Sequence, residues 1–577
     1  MFVDEQCVLG HRRLKIIDLS DAARQPMQTL DGSLVITFNG EIYNYRALRH
    51  DLQSSHAFRS ASDTEVLLCG YEQWGKDVFR RANGMYAAAL WEAKRKRLLL
   101  VRDRLGKKPL FYYWNRGRVV FGSELKALLR HPEVATSIDE DRLAEFLAFG
   151  YVPTPNTIFA NIYKVPQGTI VQFEGGKRSL EQYWDLPTEQ VDYSEREALE
   201  ELDALLNDAV RIRLESDVPL GFFLSGGIDS SLVTAIGRRL AGQIRTFCAG
   251  FHDPDYDEAP YAQDVADFLG TEHTTLYVDE GSFAEFSDVA VKYYDEPFAD
   301  SSLIPTYYLA KLTKQHVTIA VSGDGGDELF CGYQKYLNFV QLRPVHMLPL
   351  RVQNLLARGL ELVPANTTRK ISHALRSGIS PIELVQWLIT IWKNDELGDL
   401  MPGSRIQWNT TQVMQTLQRF GARDELSRFM AADIRSYLCD DILQKVDRAS
   451  MAVALETRCP LLDYRIVELA VRLPIALKFR GGRQKYLLKK LLARYVPERL
   501  WKRRKHGFNV PLKSWYRGNR QRHLSEALNQ LATAMPRLSK ETMQRFMKLH
   551  LTGRYDYSQK LFALDMLSQW AAEYRRQ

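Results

Sequence analysis

The chain has 577 residues, enough for three or four ordinary domains or fewer large ones. Apolar residues make up 45%, charged residues 25% and aromatic residues 11%, which is globular usage and excludes a disordered, collagen-like or low-complexity chain. Lys and Arg outnumber Asp and Glu by 77 to 70, and +7 over this length suits anionic substrates without arguing for nucleic acid.

No apolar run approaches the roughly 18 residues that a membrane helix needs. Met1–Lys15 lacks the apolar core and small-residue cleavage site of a secretory signal. The six cysteines are scattered, with no C-x-x-C pair. The expectation is a cytoplasmic protein that engages neither nucleic acid nor membrane, and a homodimer is compatible with it.

Up to about residue 187, short strand-like runs sit between turn signals. Leu34–Phe38, Met85–Trp91, Arg97–Val101, Pro109–Trp114 and Arg118–Phe121 are rich in β-branched and aromatic residues and bounded by Gly, Asn or Asp. Tyr45–Leu52 and Asp63–Trp74 read as helices, the second with Val66, Leu67, Gly70 and Tyr71 on one face. This predicts an α+β domain over 1–187, antiparallel sheets layered with helices.

Leu186-Pro187-Thr188 and the polar residues to Tyr193 read as a linker. Ser194 and Glu197 then form an S-x-x-E capping box, with Leu199, Leu202, Leu205, Leu206, Ala209 and Val210 at helical spacing behind it. From there strands alternate with helices: Val218–Leu224, a helix from Ser230, Arg245–Gly250, a helix from Ala259, and Val317–Val321. That pattern predicts an α/β doubly wound parallel sheet for a domain spanning 194–577. Strand signals stop at about residue 335, so the remainder is expected to be helical.

Ser225-Gly226-Gly227-Ile228-Asp229-Ser230-Ser231 follows an apolar strand and opens a helix. Glycines there let backbone N–H groups and the helix N-terminus approach an anion, and Ser225, Ser230 and Ser231 add hydroxyl donors. An acid inside an anion cradle calls for a cation between them, which makes Asp229 a candidate Mg²⁺ ligand. There is no G-x-x-x-x-G-K, so this is not a Walker loop.

The segment resembles the pyrophosphate-binding loop of the ATP-pyrophosphatase superfamily, which cleaves ATP between its α and β phosphates and adenylates a carboxyl or carbonyl oxygen. A second segment, Ser322-Gly323-Asp324-Gly325-Gly326-Asp327-Glu328-Leu329-Phe330-Cys331-Gly332-Tyr333, resembles the signature of glutamine-dependent asparagine synthetases. The resemblance runs over essentially the whole chain. It implies ATP and Mg²⁺ as cofactors, with Asp229 and Asp327 holding the metal on pyrophosphate. It places Ser322 and Gly323 near the nucleotide and acyl-adenylate, and Leu224 and Ala249 along the adenine pocket, where plain core packing describes them equally well. Asp324 stands where many members have Glu, as proton acceptor from attacking ammonia.

Gly481-Gly482-Arg483-Gln484-Lys485-Tyr486 resembles the family segment whose lysine contacts the transferring phosphate, which makes Lys485 the expected catalytic cation. Trp501–Phe508 matches a basic flap over the ATP phosphates. Leu455–Asp463 also matches, and its charged pair is expected to be architectural.

The N-terminal half resembles a class II glutamine amidotransferase domain through Leu9–Leu14, Phe38–Arg46 and Ser62–Glu65. By position Arg13 would hold the glutamine carboxylate, Asn39 and the Gly40 N–H the oxyanion, and Glu41 and Asp63 the amino group. The family nucleophile is an N-terminal cysteine whose free amine acts as base, several dozen positions before that arginine. Only twelve residues precede Arg13 here, and the amine of Cys7 is tied in a peptide bond. The chain as written is therefore expected to lack glutaminase activity and to be a shortened form of a complete enzyme, the competing reading being a synthetase that uses free ammonia. The opening strand of the domain is expected to be missing, leaving an unpaired sheet edge.

The expected reaction converts aspartate to asparagine through a β-aspartyl-adenylate, with ATP, aspartate and ammonia or glutamine as small-molecule partners. Two alternatives stand beside it. The same chemistry would act on another carboxylate, such as a sugar acid of surface-polysaccharide biosynthesis, or the chain would be a non-catalytic nucleotide-binding protein.

Overall fold

The computed structural model describes residues 1–254, 256–278, 290–346, 348–361, 372, 375, 380–421, 423–503 and 510–574. In the N-terminal half, Leu34–Ile42 and Gly84–Glu92 pair antiparallel from Leu34↔Glu92 to Ile42↔Gly84 at the centre of a six-stranded sheet. Side chains alternate across it, as a two-residue period requires. Ile36, Phe38 and Ile42 pack on Leu48, Leu52, Val66 and Leu67 of the helices Tyr45–Leu52 and Asp63–Trp74. Val35, Ala87 and Ala89 face the other way, onto Tyr112 of a three-stranded sheet and onto Cys7 and Leu9.

Both helices begin and end where the sequence placed them. Ser62 caps the second by accepting the Glu65 N–H. The six-stranded sheet is open at both edges. One edge is Lys177–Gln182, exposed throughout and carrying Lys177, Arg178 and Glu181, and the other is the two-residue strand Met27–Gln28. Neither presents a long apolar ladder.

The second half is built on a five-stranded parallel sheet in the order Glu272–Val278, Arg245–Phe251, Leu220–Phe223, Ile319–Val321, Glu456–Arg458. Ala320 packs into one core with Phe247 and Leu303, and Val321 into another with Phe222, Leu206 and Ile236, so both faces are covered. The last strand corrects the expectation that strands end near residue 335. Three residues, two of them charged, carry no strand signal, yet all three are buried.

The two halves share an interface of buried polar contacts. Lys108 meets Asp447 at 2.8 Å, Lys107 donates to the Leu462 carbonyl at 2.8 Å, and Asn83 donates to Asp463 at 2.8 Å. Arg423 ties down the linker by donating to the Thr188 carbonyl at 2.8 Å. The capping box of Ser194 and Glu197 is formed, at the head of the helix Glu195–Arg213.

Candidate active site

Strand order reverses beside Leu220–Phe223. One crossover leads out to Arg245–Phe251, and the next strand on the opposite side is Ile319–Val321. Ligands of open parallel sheets bind at such a reversal, off the carboxyl ends of the strands. The two sequence motifs leave these two neighbouring strands.

The first loop is tied together by its serines. The Ser225 N–H donates to Ser230 Oγ at 3.2 Å, and the Gly227 N–H to Ser225 Oγ at 3.3 Å. Gly226 has φ +70, and a Cβ there would fall 2.6 Å from the Tyr261 backbone, so a side chain is excluded twice. Ser231 is fully enclosed, and its hydroxyl meets no hydrogen-bond partner among the described residues. Leu224 and Ala249 are both buried.

From the second loop, Gly323 approaches the first so closely that a Cβ would sit 2.7 Å from the Ser230 N. The Ser322 hydroxyl donates to Asp324 at 2.7 Å. Burial pushes the Asp324 carboxyl up, against the Ser322 hydrogen bond and the charge of Lys445.

Lys485 joins the two loops. Its ammonium lies 2.6 Å from Asp327 Oδ1 and also bonds Asp229. Burial alone would lower its pKa, but the two carboxylates outweigh that and hold it above the ordinary lysine range. The residue has φ +53, a left-handed conformation that non-glycine residues rarely adopt, at the head of the helix Tyr486–Leu492.

Two glycines leave room for the acids. A Cβ on Gly326 would lie 2.2 Å from Asp229 Oδ1, and one on Gly332 would lie 2.0 Å from Asp327 Oδ1. Among the described residues no group of three or more His, Cys, Asp or Glu forms a closed metal cage. Two carboxylates beside a phosphate cradle suit Mg²⁺, which keeps waters and takes phosphate oxygens.

Two neighbours, Glu328 and Lys445, carried no assigned role in the sequence, and Arg503 comes from the expected basic flap. Burial, with Asp327 beside it, raises Glu328 to about 7, although Tyr333 donates to it at 2.6 Å. Lys445 reaches Asp300 and the Ser302 hydroxyl, both at 2.7 Å. It follows a π-helical turn, Leu438–Leu443, a local irregularity frequent at functional sites. Arg503 donates to the Ser225 carbonyl at 3.2 Å and to Glu258 at 2.9 Å. Of the basic flap expected over Trp501–Phe508, residues 504–508 lie outside the described residues.

In the N-terminal half, Gly40 has φ +147, and a Cβ would fall 2.0 Å from the Met85 carbonyl oxygen. Asn39 Nδ2 lies 3.4 Å from Ser123 Oγ. Arg13 donates to the carbonyls of Ile17 and Asp18, each at 2.6 Å, and so shapes its own loop. Glu41 and Asp63 are both buried. Burial raises Asp63 to about 6 against the N–H bonds of Ile42 and Thr64, and burial raises Glu41 well above the usual carboxylate range. Cys7 lies just before the strand Val8–Leu9, and burial pushes its thiol up to about 12.

The model of the asparagine synthase family matches residues 201–572, and that of a glutamine amidotransferase domain matches residues 1–184. The chain belongs to the asparagine synthase family. Asparagine synthetase [glutamine-hydrolyzing] 1 of Bacillus subtilis is 30% identical over 99% of this chain and 90% of its own length. A putative asparagine synthetase of Mycobacterium tuberculosis is 31% identical over 98% and 89%. One from Methanocaldococcus jannaschii is 36% identical over 77% and 89%. ATP-dependent ligation goes with membership of the asparagine synthase family. Among the described residues, no helix is long and apolar enough to cross a membrane.

Proposed function

We propose that this chain is an asparagine synthetase, cleaving ATP to AMP and pyrophosphate to activate the side-chain carboxylate of aspartate for amidation. The observation that carries this reading is the meeting of Asp229, Asp327 and Lys485 at the sheet's switch point. The backbone N–H groups of Gly226 and Gly227, with Ser225, Ser230 and Ser231, form the pyrophosphate cradle. Leu224 and Ala249 line the adenine pocket, and Ser322 and Gly323 lie beside the acyl-adenylate.

Asp229 and Asp327 hold Mg²⁺, which when bound neutralises charge on the pyrophosphate. Lys485 presents a preorganised ammonium to the α-phosphate, where negative charge grows as the carboxylate attacks. Asp324, with its raised pKa, takes a proton from the incoming ammonia. Arg13, Asn39, Gly40, Glu41 and Asp63 form the glutamine pocket. Polar small-molecule substrates and six cysteines, all free, fit a reducing cytoplasm.

The test is ammonia-dependent turnover by the purified chain. With Mg²⁺, ATP and aspartate, asparagine and pyrophosphate should appear in equal amounts. Pyrophosphate release with a sugar acid but not with aspartate would keep the chemistry and replace the acceptor. Binding of Mg·ATP with no turnover on any acid would remove the ligase reading.

A further inference from the structure

Arg458 belongs to neither set of site residues, yet it touches both halves. It ends the edge strand of the parallel sheet, and its carbonyl accepts the N–H of Ser322 at 2.9 Å, at the head of the nucleotide loop. Its side chain is fully buried. Nε donates to Glu456 at 2.8 Å, and Nη1 donates to the carbonyls of Arg213 at 2.9 Å and Glu215 at 2.7 Å.

Nη2 points across the interface instead. It lies 3.7 Å from Oε2 of Glu41, and both atoms are enclosed with no hydrogen-bond partner among the described residues. A buried donor and a buried carboxylate oxygen left unbonded are costly, unless they act on one another or on something bound beside them. The groups facing Glu41 are Asp63 on its helix, Glu456 and Arg458 on the edge strand, and Lys108 on the loop after Arg97–Arg102. The two acids oppose its ionisation and the two cations favour it. Lys108 is already committed to Asp447 at 2.8 Å.

We infer that Arg458 is a positioning residue of the glutamine pocket, supplied by the synthetase half, that opposes the burial of Glu41 and orients its carboxyl group for the α-ammonium of glutamine. This rests on the reading of Glu41 as the ligand of the substrate amine. It makes the pocket complete only when the second half is docked, and the same residue carries the Ser322 loop on its backbone. Without the guanidinium, Glu41 and Asp63 keep their protons to higher pH, and a protonated carboxyl does not pair with an ammonium. Glutamine affinity is then lost near neutral pH and returns as pH rises.

The experiment is calorimetric titration of the full chain with glutamine from about pH 6 to about pH 9, a range that spans a displaced carboxylate titration. Arg458→Met should weaken binding about tenfold or more near neutrality, as one unit of displaced pKa does, with recovery at the alkaline end. Arg458→Lys should keep part of the affinity. The loss should exceed any fall in ammonia-dependent pyrophosphate release by the same preparation. Arg458→Met also leaves Glu456 without its partner, so Glu41→Gln is the second arm, and in that background the pH displacement should shrink. Equal loss at every pH, or parallel loss of affinity and ammonia-dependent rate, would make Arg458 merely structural and overturn the inference. Wild-type binding left intact by Arg458→Met would overturn it alone, whereas a wild type that binds no glutamine would overturn the pocket reading and this inference with it.

Discussion

Lys485 Nζ stands 2.6 Å from Asp327 Oδ1, and its second carboxylate partner, Asp229, lies in the first turn of the helix that follows a different strand of the sheet. The cation is therefore oriented before any substrate arrives, and little reorganisation remains for the transition state. Lys485→Ala is expected to lower ammonia-dependent pyrophosphate release about a hundredfold or more, with the circular dichroism spectrum unchanged. Normal turnover would remove Lys485 from the site.

The space around the two acids depends on glycine. Gly326→Ala and Gly332→Ala each drive a methyl group to within 2.2 Å of a carboxylate oxygen. Pyrophosphate release should fall at least about tenfold in both, the scale of a reacting group misplaced by an ångström or less. Gly359, with nothing within 4 Å of its would-be Cβ, is the control. Gly359→Ala should leave activity intact and raise stability by up to about 1 kcal/mol.

Cys7 is buried among Leu9, Trp91 and Leu98, and its thiol is pushed up to about 12. A thiolate is the reactive form, so this cysteine is inert near neutrality. Cys7→Ser should change neither ammonia-dependent synthesis nor glutamine binding, and its only cost should be a modest drop in melting temperature. A loss of activity measured at a temperature where the variant is folded would contradict this.

Glu328 supplies a pH signature. Its carboxyl sits at about 7 in the fold, raised by burial and by Asp327 above the ordinary 4.5. An acid raised on folding contributes fully below its unfolded pKa, and that contribution is lost as pH rises through the folded value. Between about pH 4.5 and about pH 7, then, the wild type should lose stability that Glu328→Gln retains. Melting temperatures of the two proteins should diverge across that window in favour of the variant. A constant gap would place the ionisation elsewhere.

Much of the fold was legible because its elements are periodic. Tyr45–Leu52 and Asp63–Trp74 carry a continuous apolar face, and both helices match the sequence reading. The sequence reading of this strand stops at Phe38 because Asn39, Gly40 and Glu41 resemble a turn, whereas the strand runs on to Ile42 and Gly40 marks a close backbone approach to Met85 inside it. Glu456–Arg458 was illegible for the opposite reason. Its two charges pair with each other, and Arg458 is buried through further partners hundreds of residues away that no local pattern records. The site divides in the same way. Asp229, Asp327 and Lys485 lie in long motifs, while the roles of Glu328 and Lys445 come from burial and from neighbours that only the tertiary structure supplies.

That last strand has a consequence for biosynthesis. Ile319–Val321 flanks the nucleotide loop, and among the described residues its outer ladder is satisfied by Glu456–Arg458. On the ribosome, the earlier strands emerge while that ladder is still open, an invitation to wrong pairing between nascent chains. Neither the nucleotide loop nor the cross-domain contact to Glu41 can mature until residue 458 has left the exit tunnel. A chain terminated before that point should therefore fail as a folded unit and be recovered in aggregates, rather than persist as a soluble amidotransferase half beside an idle partner.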